Sequence, residues 1–183
     1  MSAVAPSQLR RRLTIAATAA LAALAVAPQG AAARGCANST ADPGEVSMRA
    51  MQKATLCILN RRRARRGIAP LRENGRLTLA SLRHAQDMAR RNYFEHGNFV
   101  GRIRAVDYLA GASSWRVGEN IAWGTGRYAR PAAIVRAWMN SPPHRHNILN
   151  SGFHEIGIGI ARGVPRSGTD GGATYATDFG TRG

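Results

Sequence analysis

"EIGIGIA", residues 155–161, alternates branched apolar side chains with glycines. Period-two alternation marks a strand whose two faces meet different surroundings, so Ile156, Ile158 and Ile160 face one layer while Gly157 and Gly159 face the other. A glycine face lets a second element lie directly on the strand backbone. Downstream, "GVPRSGTDGG" at 163–172 is rich in turn formers, after which Tyr175, Thr177 and Phe179 resume the alternation. The chain therefore closes on a hairpin.

Upstream, the apolar period is helical. Met48, Met51, Thr55, Ile58 and Leu59 predict a first helix that ends in an arginine cluster before Gly67. Leu77, Ala80, His84, Ala85 and Met88 predict a second, preceded by an Asn74-Gly75 turn. A short helix is expected around 103–109, followed by a loop at 111–114. Pro131 suits the first turn of a helix whose face is Ile134, Val135, Trp138 and Met139, and Ser141-Pro142-Pro143 forces its exit. "HRHNILNSG" at 144–152 reads as one or two helical turns. Helices first and strands last argue for α+β layers around one sheet.

The N-terminus is a separate matter. Arg10, Arg11 and Arg12, an apolar run at 13–27 and Ala31-Ala32-Ala33 form a secretory signal pattern at 1–33, followed by a spacer at 34–47. A membrane anchor needs roughly 20 apolar residues, and Pro28, Gln29 and Gly30 interrupt this run first, so no transmembrane anchor is expected in the mature chain. The paired arginines leave twin-arginine export open beside the general route. Export favours oxidation of the two cysteines, and a Cys36–Cys57 disulfide is the expected outcome. Lipidation of Cys36 is the alternative, against which stands the charged Arg34 two residues before it.

With 26 Lys+Arg against 10 Asp+Glu, the chain carries a formal charge of +16. "NRRRARRGIAPLRENGR", 60–76, concentrates that charge but has no aromatic residue for base stacking, which argues against nucleic acid as partner. A solvated helix end complementing the macrodipole, with attraction to an anionic cell envelope, accounts for it.

Three side chains capable of ligation or proton transfer stand beside structural breaks: His96, Glu119 and His144. Two imidazoles and a carboxylate form a credible set for a divalent cation such as zinc, provided the fold assembles them. Their spacing alone does not, because no single helix face can carry two of them.

"HAQDMARRNYFEH", "RVGENIAWG", "AWMNSPPHRHNILNSGFHEIGIGIA" and "TYATDFG", in this order, resemble the bacterial branch of the CAP superfamily, which contains cysteine-rich secretory proteins, antigen five and plant pathogenesis-related proteins. The likeness runs over 48–180, within a domain expected at 48–183. It implies an α-β-α sandwich, with a small antiparallel sheet flanked by helices and a cleft lined by His96, Glu119 and His144. Where relatives commonly carry a further glutamate, this chain has Ser141, which removes a negative charge and sets a serine, a histidine and a carboxylate near one another. In the resembling fold Glu119 faces both imidazoles, Gly118 permits a bend, Asn120 holds a loop, and Arg145 and Asn147 brace the rim. His84 is expected to pack or hydrogen-bond within the second helix's buried stripe, and His146 to be exposed.

Two functions follow from that likeness. One is a secreted, non-enzymatic module binding an envelope component, lipid or protein. The other is a divalent-metal-dependent hydrolase using the same residues.

Overall fold

Ser47 accepts a hydrogen bond from the Ala50 N–H at 3.1 Å and so opens α1 (Met48–Ala64). The computed structural model describes residues 35–183, which form one unit. The expected signal at 1–33 lies outside the described residues. Among the described residues, no helix is long and apolar enough to cross a membrane. After α1 comes β1 (Arg72–Glu73), then α2 (Gly75–Arg91), whose N-cap Asn74 accepts from Arg76 and Leu77 N–H. The left-handed backbone of Asn92, φ 56°, ends α2.

The remaining elements are α3 (Phe99–Arg104), β2 (Trp115–Gly124), a 3₁₀ turn (Gly126–Ala129), α4 (Pro131–Asn140), α5 (Pro142–Leu149), β3 (Glu155–Arg162) and β4 (Ala173–Arg182). The sheet order is β1-β3-β4-β2. Central β4 runs antiparallel to both neighbours, while β1 adds a two-residue parallel rung at Arg72 and Glu73. Because β2 lies at the sheet's outer edge, side chains from either layer can approach one another around it.

The alternation in β3 sorts the layers. Ile156, Ile158 and Ile160 enter the main core with Met51 and Leu59 of α1, Trp138 of α4 and Ile148 of α5. On the opposite face α2 lies on bare backbone: a Cβ on Gly157 would collide with the Leu77 carbonyl group, and one on Gly159 with the Ser81–Leu82 peptide. Ala85 and Met88 of α2 then pack over Ile121, Ala161 and Ala176. This is an α-β-α arrangement in which α2 covers one side, joined there by Ile103 of α3 and by Val106 and Tyr108, which pack on Leu77 and Ala80.

Four local expectations need correction. The segment containing "GENIAWG" is the ten-residue strand β2, and Gly118 makes no bend. Its missing side chain instead admits neighbours, since a Cβ there would stand 3.0 Å from Phe153 Cζ and 3.1 Å from Asn147 Oδ1. The short helix sits earlier than expected, capped by Asn98, whose Oδ1 accepts from Gly101 N–H at 2.8 Å. The prolines after Ser141 end α4 as expected, but the helix that follows starts at Pro142 rather than His144, because a missing N–H in the first turn costs no helical hydrogen bond.

The fourth correction concerns the arginine cluster. Arg63 is fully buried and donates to the carbonyls of Ala69, Ile148, Asn150 and Phe153 at 2.8–2.9 Å. It clamps α1 to the segment leading into β3, whereas Arg65 and Arg66 are exposed.

Cys36 and Cys57 form the expected disulfide, with Cα atoms 5.8 Å apart. The segment before α1 is held elsewhere too. Ser39 O accepts from the Ala132 N–H at 2.9 Å, and Arg130 grips Asp42 through Nε at 2.9 Å and Nη2 at 2.8 Å.

Candidate functional site: a buried carboxylate at the edge of the sheet

Successive β2 residues point to opposite faces, and this separates the neighbours Glu119 and Asn120. Glu119 turns to the α2 side, where its side chain is 1% exposed. A carboxylate so buried requires compensation, and two cationic or donor groups supply it. His96 Nδ1 lies 2.8 Å from Oε1, while Arg102 Nη2 donates to Oε2 at 2.6 Å. Arg102 also donates to His96 O at 2.8 Å, so one guanidinium fixes both the carboxylate and the loop that carries the imidazole. The His96 ring is half exposed and forms the solvent side of the group.

His84 and Asp178 complete the surroundings of Glu119. His84 Nε2 stands 3.9 Å from Glu119 Oε2 and 3.0 Å from Glu95 O. Burial lowers its pKa, outweighing the attraction of Glu119. Asp178 is the cross-strand partner of Glu119 on β4. Desolvation first, and the Glu119 charge second, push its carboxyl up to about 8. It therefore holds a proton at neutral pH. Asp178 Oδ2 accepts from Ser81 Oγ at 2.7 Å, while Oδ1 is buried with no hydrogen-bond partner among the described residues.

Asn120 faces the other layer. Its Nδ2 donates to His144 O at 3.1 Å, and its Oδ1 accepts from Asn147 Nδ2 at 2.9 Å. Asn147 Nδ2 also donates to Glu119 O at 3.1 Å, which fastens α5 to the β2 backbone. His144 Nδ1 lies 2.8 Å from Ser141 Oγ. Burial, and then the positive charge of His96, lower the His144 pKa. The two imidazoles are held by different groups, His96 by Glu119 and His144 by Ser141. Arg145 donates to Met139 O at 3.1 Å, tying down the C-terminal end of α4, and His146 is exposed.

The serine, histidine and carboxylate do not form a relay. Ser141 and His144 are in contact, but the Glu119 oxygens are turned to His96 and Arg102. Nor is the expected metal set arranged for a cation: among the described residues, no group of three His, Cys, Asp or Glu side chains could hold a metal ion. The Arg102 guanidinium also places permanent positive charge against the only carboxylate of the trio.

Arg102 and Asp178 are the site residues that sequence reasoning missed, whereas His84 is buried and hydrogen-bonded as expected, and only its approach to Glu119 was unforeseen. Arg102 has no sequence signal, standing in the mixed segment "GRIRAV". Asp178 had one: if Tyr175, Thr177 and Phe179 face the main core, the acid between them must face α2.

Comparison with known proteins agrees with this architecture. A family model for the cysteine-rich secretory proteins, CAP, matches residues 56–175. The uncharacterized protein YkwD of Bacillus subtilis is 37% identical over 122 residues, 66% of this chain and 46% of its own length. The uncharacterized membrane protein YlbC of the same organism is 31% identical over 118 residues, covering 61% of this chain and 32% of its own. The chain thus spans less than half the length of these curated relatives. Among solved structures, an extracellular SCP-domain protein of Bacillus anthracis aligns with TM-score 0.55 and 25% identity, over 73% of this chain and 43% of its own. An outer surface protein of Borrelia burgdorferi shares the fold with TM-score 0.59 and 20% identity, over 75% of this chain and 97% of its own. A family model covering more than half of the chain, on a sheet and helical layers of the same form, shows that this protein belongs to the cysteine-rich secretory protein (CAP) family, among its bacterial members.

Proposed function

We propose that the chain is an exported binding module that takes an envelope component, lipid or protein ligand at the rim formed by His96, Glu119, Ser141 and His144, without breaking it down. One observation carries this reading: Glu119, the only carboxylate of the trio, is buried with both oxygens engaged by His96 and Arg102. A general base or a metal ligand must be within reach of the substrate, whereas this carboxylate is 1% exposed and held against the imidazole and guanidinium around it. The rim then presents the exposed edge of His96 and the Ser141–His144 pair as polar contacts. The disulfide is consistent with an oxidising destination.

The competing metal-hydrolase reading requires zinc to displace Arg102 from Glu119. Metal analysis of protein purified without chelator or affinity tag, beside its His96→Ala and His144→Ala variants, separates the two. Binding predicts no stoichiometric metal in any of them. A stoichiometric metal lost in either variant overturns the non-enzymatic reading. In parallel, His96→Ala is expected to weaken co-sedimentation with isolated cell envelopes, and unchanged retention would remove the rim as the binding site.

A further inference from the structure

Directly after β2, the turn before α4 builds a second concave site, none of whose lining residues belongs to the group around Glu119. A cavity of about 400 Å³ is lined by Thr40, Arg127, Tyr128, Arg130, Ala133 and Arg136, among others. Arg127 Nη2 donates to the Tyr128 hydroxyl at 3.0 Å, and its guanidinium carbon lies 5.0 Å from the ring centroid. Tyr128 is 62% exposed despite its size. Arg130 spends Nε and Nη2 on Asp42, and Nη1 has no hydrogen-bond partner among the described residues. Arg136 is exposed and forms no ion pair among the described residues. Three guanidinium groups thus line one cavity, beside which Asp42 is already engaged by Arg130 and the exposed Glu45 adds a second negative charge near Arg130.

The donor count selects the anion. A carboxylate is satisfied by one guanidinium fork, as Asp42 is by Arg130 on the same lip. Arg127, Arg136 and the remaining Arg130 nitrogen offer more donors than one further carboxylate could accept. A tetrahedral anion with several oxygens matches them, and guanidinium is the cation suited to it. The α4 N-terminus is not the source of attraction, because Pro131 has no N–H and the Ala132 N–H is held by Ser39 O. Side chains carry the site.

We propose that this arginine cavity is a binding site for a phosphate-bearing ligand, separate from the rim at His96. Lipid headgroups and free phosphate polymers offer the same chemistry. The full-length secreted chain is therefore titrated with phosphatidylglycerol vesicles, with phosphatidylcholine vesicles as control, and with soluble inorganic polyphosphate. The Arg127→Gln/Arg136→Gln double variant is compared with Arg65→Gln/Arg66→Gln, which removes equal charge from the exposed end of α1.

Loss of two charge-assisted contacts is expected to weaken binding by roughly tenfold or more in the first pair, against about twofold or less in the second. Loss confined to vesicles identifies a headgroup, and loss confined to polyphosphate a free polymer. Equal weakening by both pairs reduces the effect to net charge and overturns the proposal, as does an absence of wild-type binding to either probe. Equal wild-type affinity for polyglutamate overturns the assignment of phosphate. Thermal melts of both variants establish that each is folded.

Discussion

Glu119 and Asp178 are cross-strand partners on β2 and β4, and the raised pKa of Asp178 ties local ionisation to stability. The folded-state pKa of Asp178 is raised above its unfolded value, so the native state binds the extra proton between about pH 4 and about 8. Its contribution to stability is then fully present below the unfolded pKa and is lost as pH rises through about 8. Asp178→Asn keeps an acceptor for Ser81 while removing the titration. Denaturant midpoints measured from pH 4.5 to 8.5 should therefore fall less steeply with pH in the variant than in the wild type. Parallel profiles would show that Asp178 does not hold the proton.

At the scale of elements, contacts between backbones decide how α2 is seated. Because the position of a Gly157 Cβ is already filled by the Leu77 carbonyl group, Gly157→Ala must displace the first turn of α2. The expected cost is roughly 3 kcal/mol, read from denaturant unfolding, and a loss below about 0.5 kcal/mol would show that the helix can move aside. Arg63 is the corresponding clamp on the opposite layer. Arg63→Ala strands four carbonyls and opens a cavity, so a loss of about 3 kcal/mol or more is expected. Replacement of exposed Arg66 by alanine should stay within about 0.5 kcal/mol by the same measurement. The contrast separates residues that look equivalent in "RRRARR".

For the whole molecule, the Cys36–Cys57 bond joins the segment before α1 to that helix across 21 positions. The same segment supplies Ser39 and Asp42 to α4, so the crosslink and these contacts restrain one piece of chain from two sides. On the chain-entropy model, the Cys36→Ser/Cys57→Ser double variant should lose roughly 3 kcal/mol, with a matching fall in melting temperature. A melt unchanged by substitution or reductant would show that the bond adds nothing to the stability of the fold.

Much of this architecture was legible in the sequence because periodicity is a local property. Three- and four-residue spacings marked α1, α2 and α4, and the Ile-Gly alternation marked β3 with its inner and outer faces. Quoted motifs also pointed to His96, Glu119 and His144. Their chemistry was not legible, since it depends on which groups arrive from distant elements. Whether Glu119 serves an open ligand site depends on Arg102 from α3, and whether Asp178 is charged depends on its burial against Ser81 of α2. Composition marks Arg63 as one basic residue in a run of them, yet folding surrounds it with carbonyls. Sequence by itself determined α1, α2, α4, β3 and β4 and their order, but not β1 or β2, because the spacing of apolar side chains dictates which segments can bury a face. Only the tertiary structure decided the charge and partners of the buried polar groups, because desolvation and hydrogen bonding are set by neighbours in space rather than along the chain.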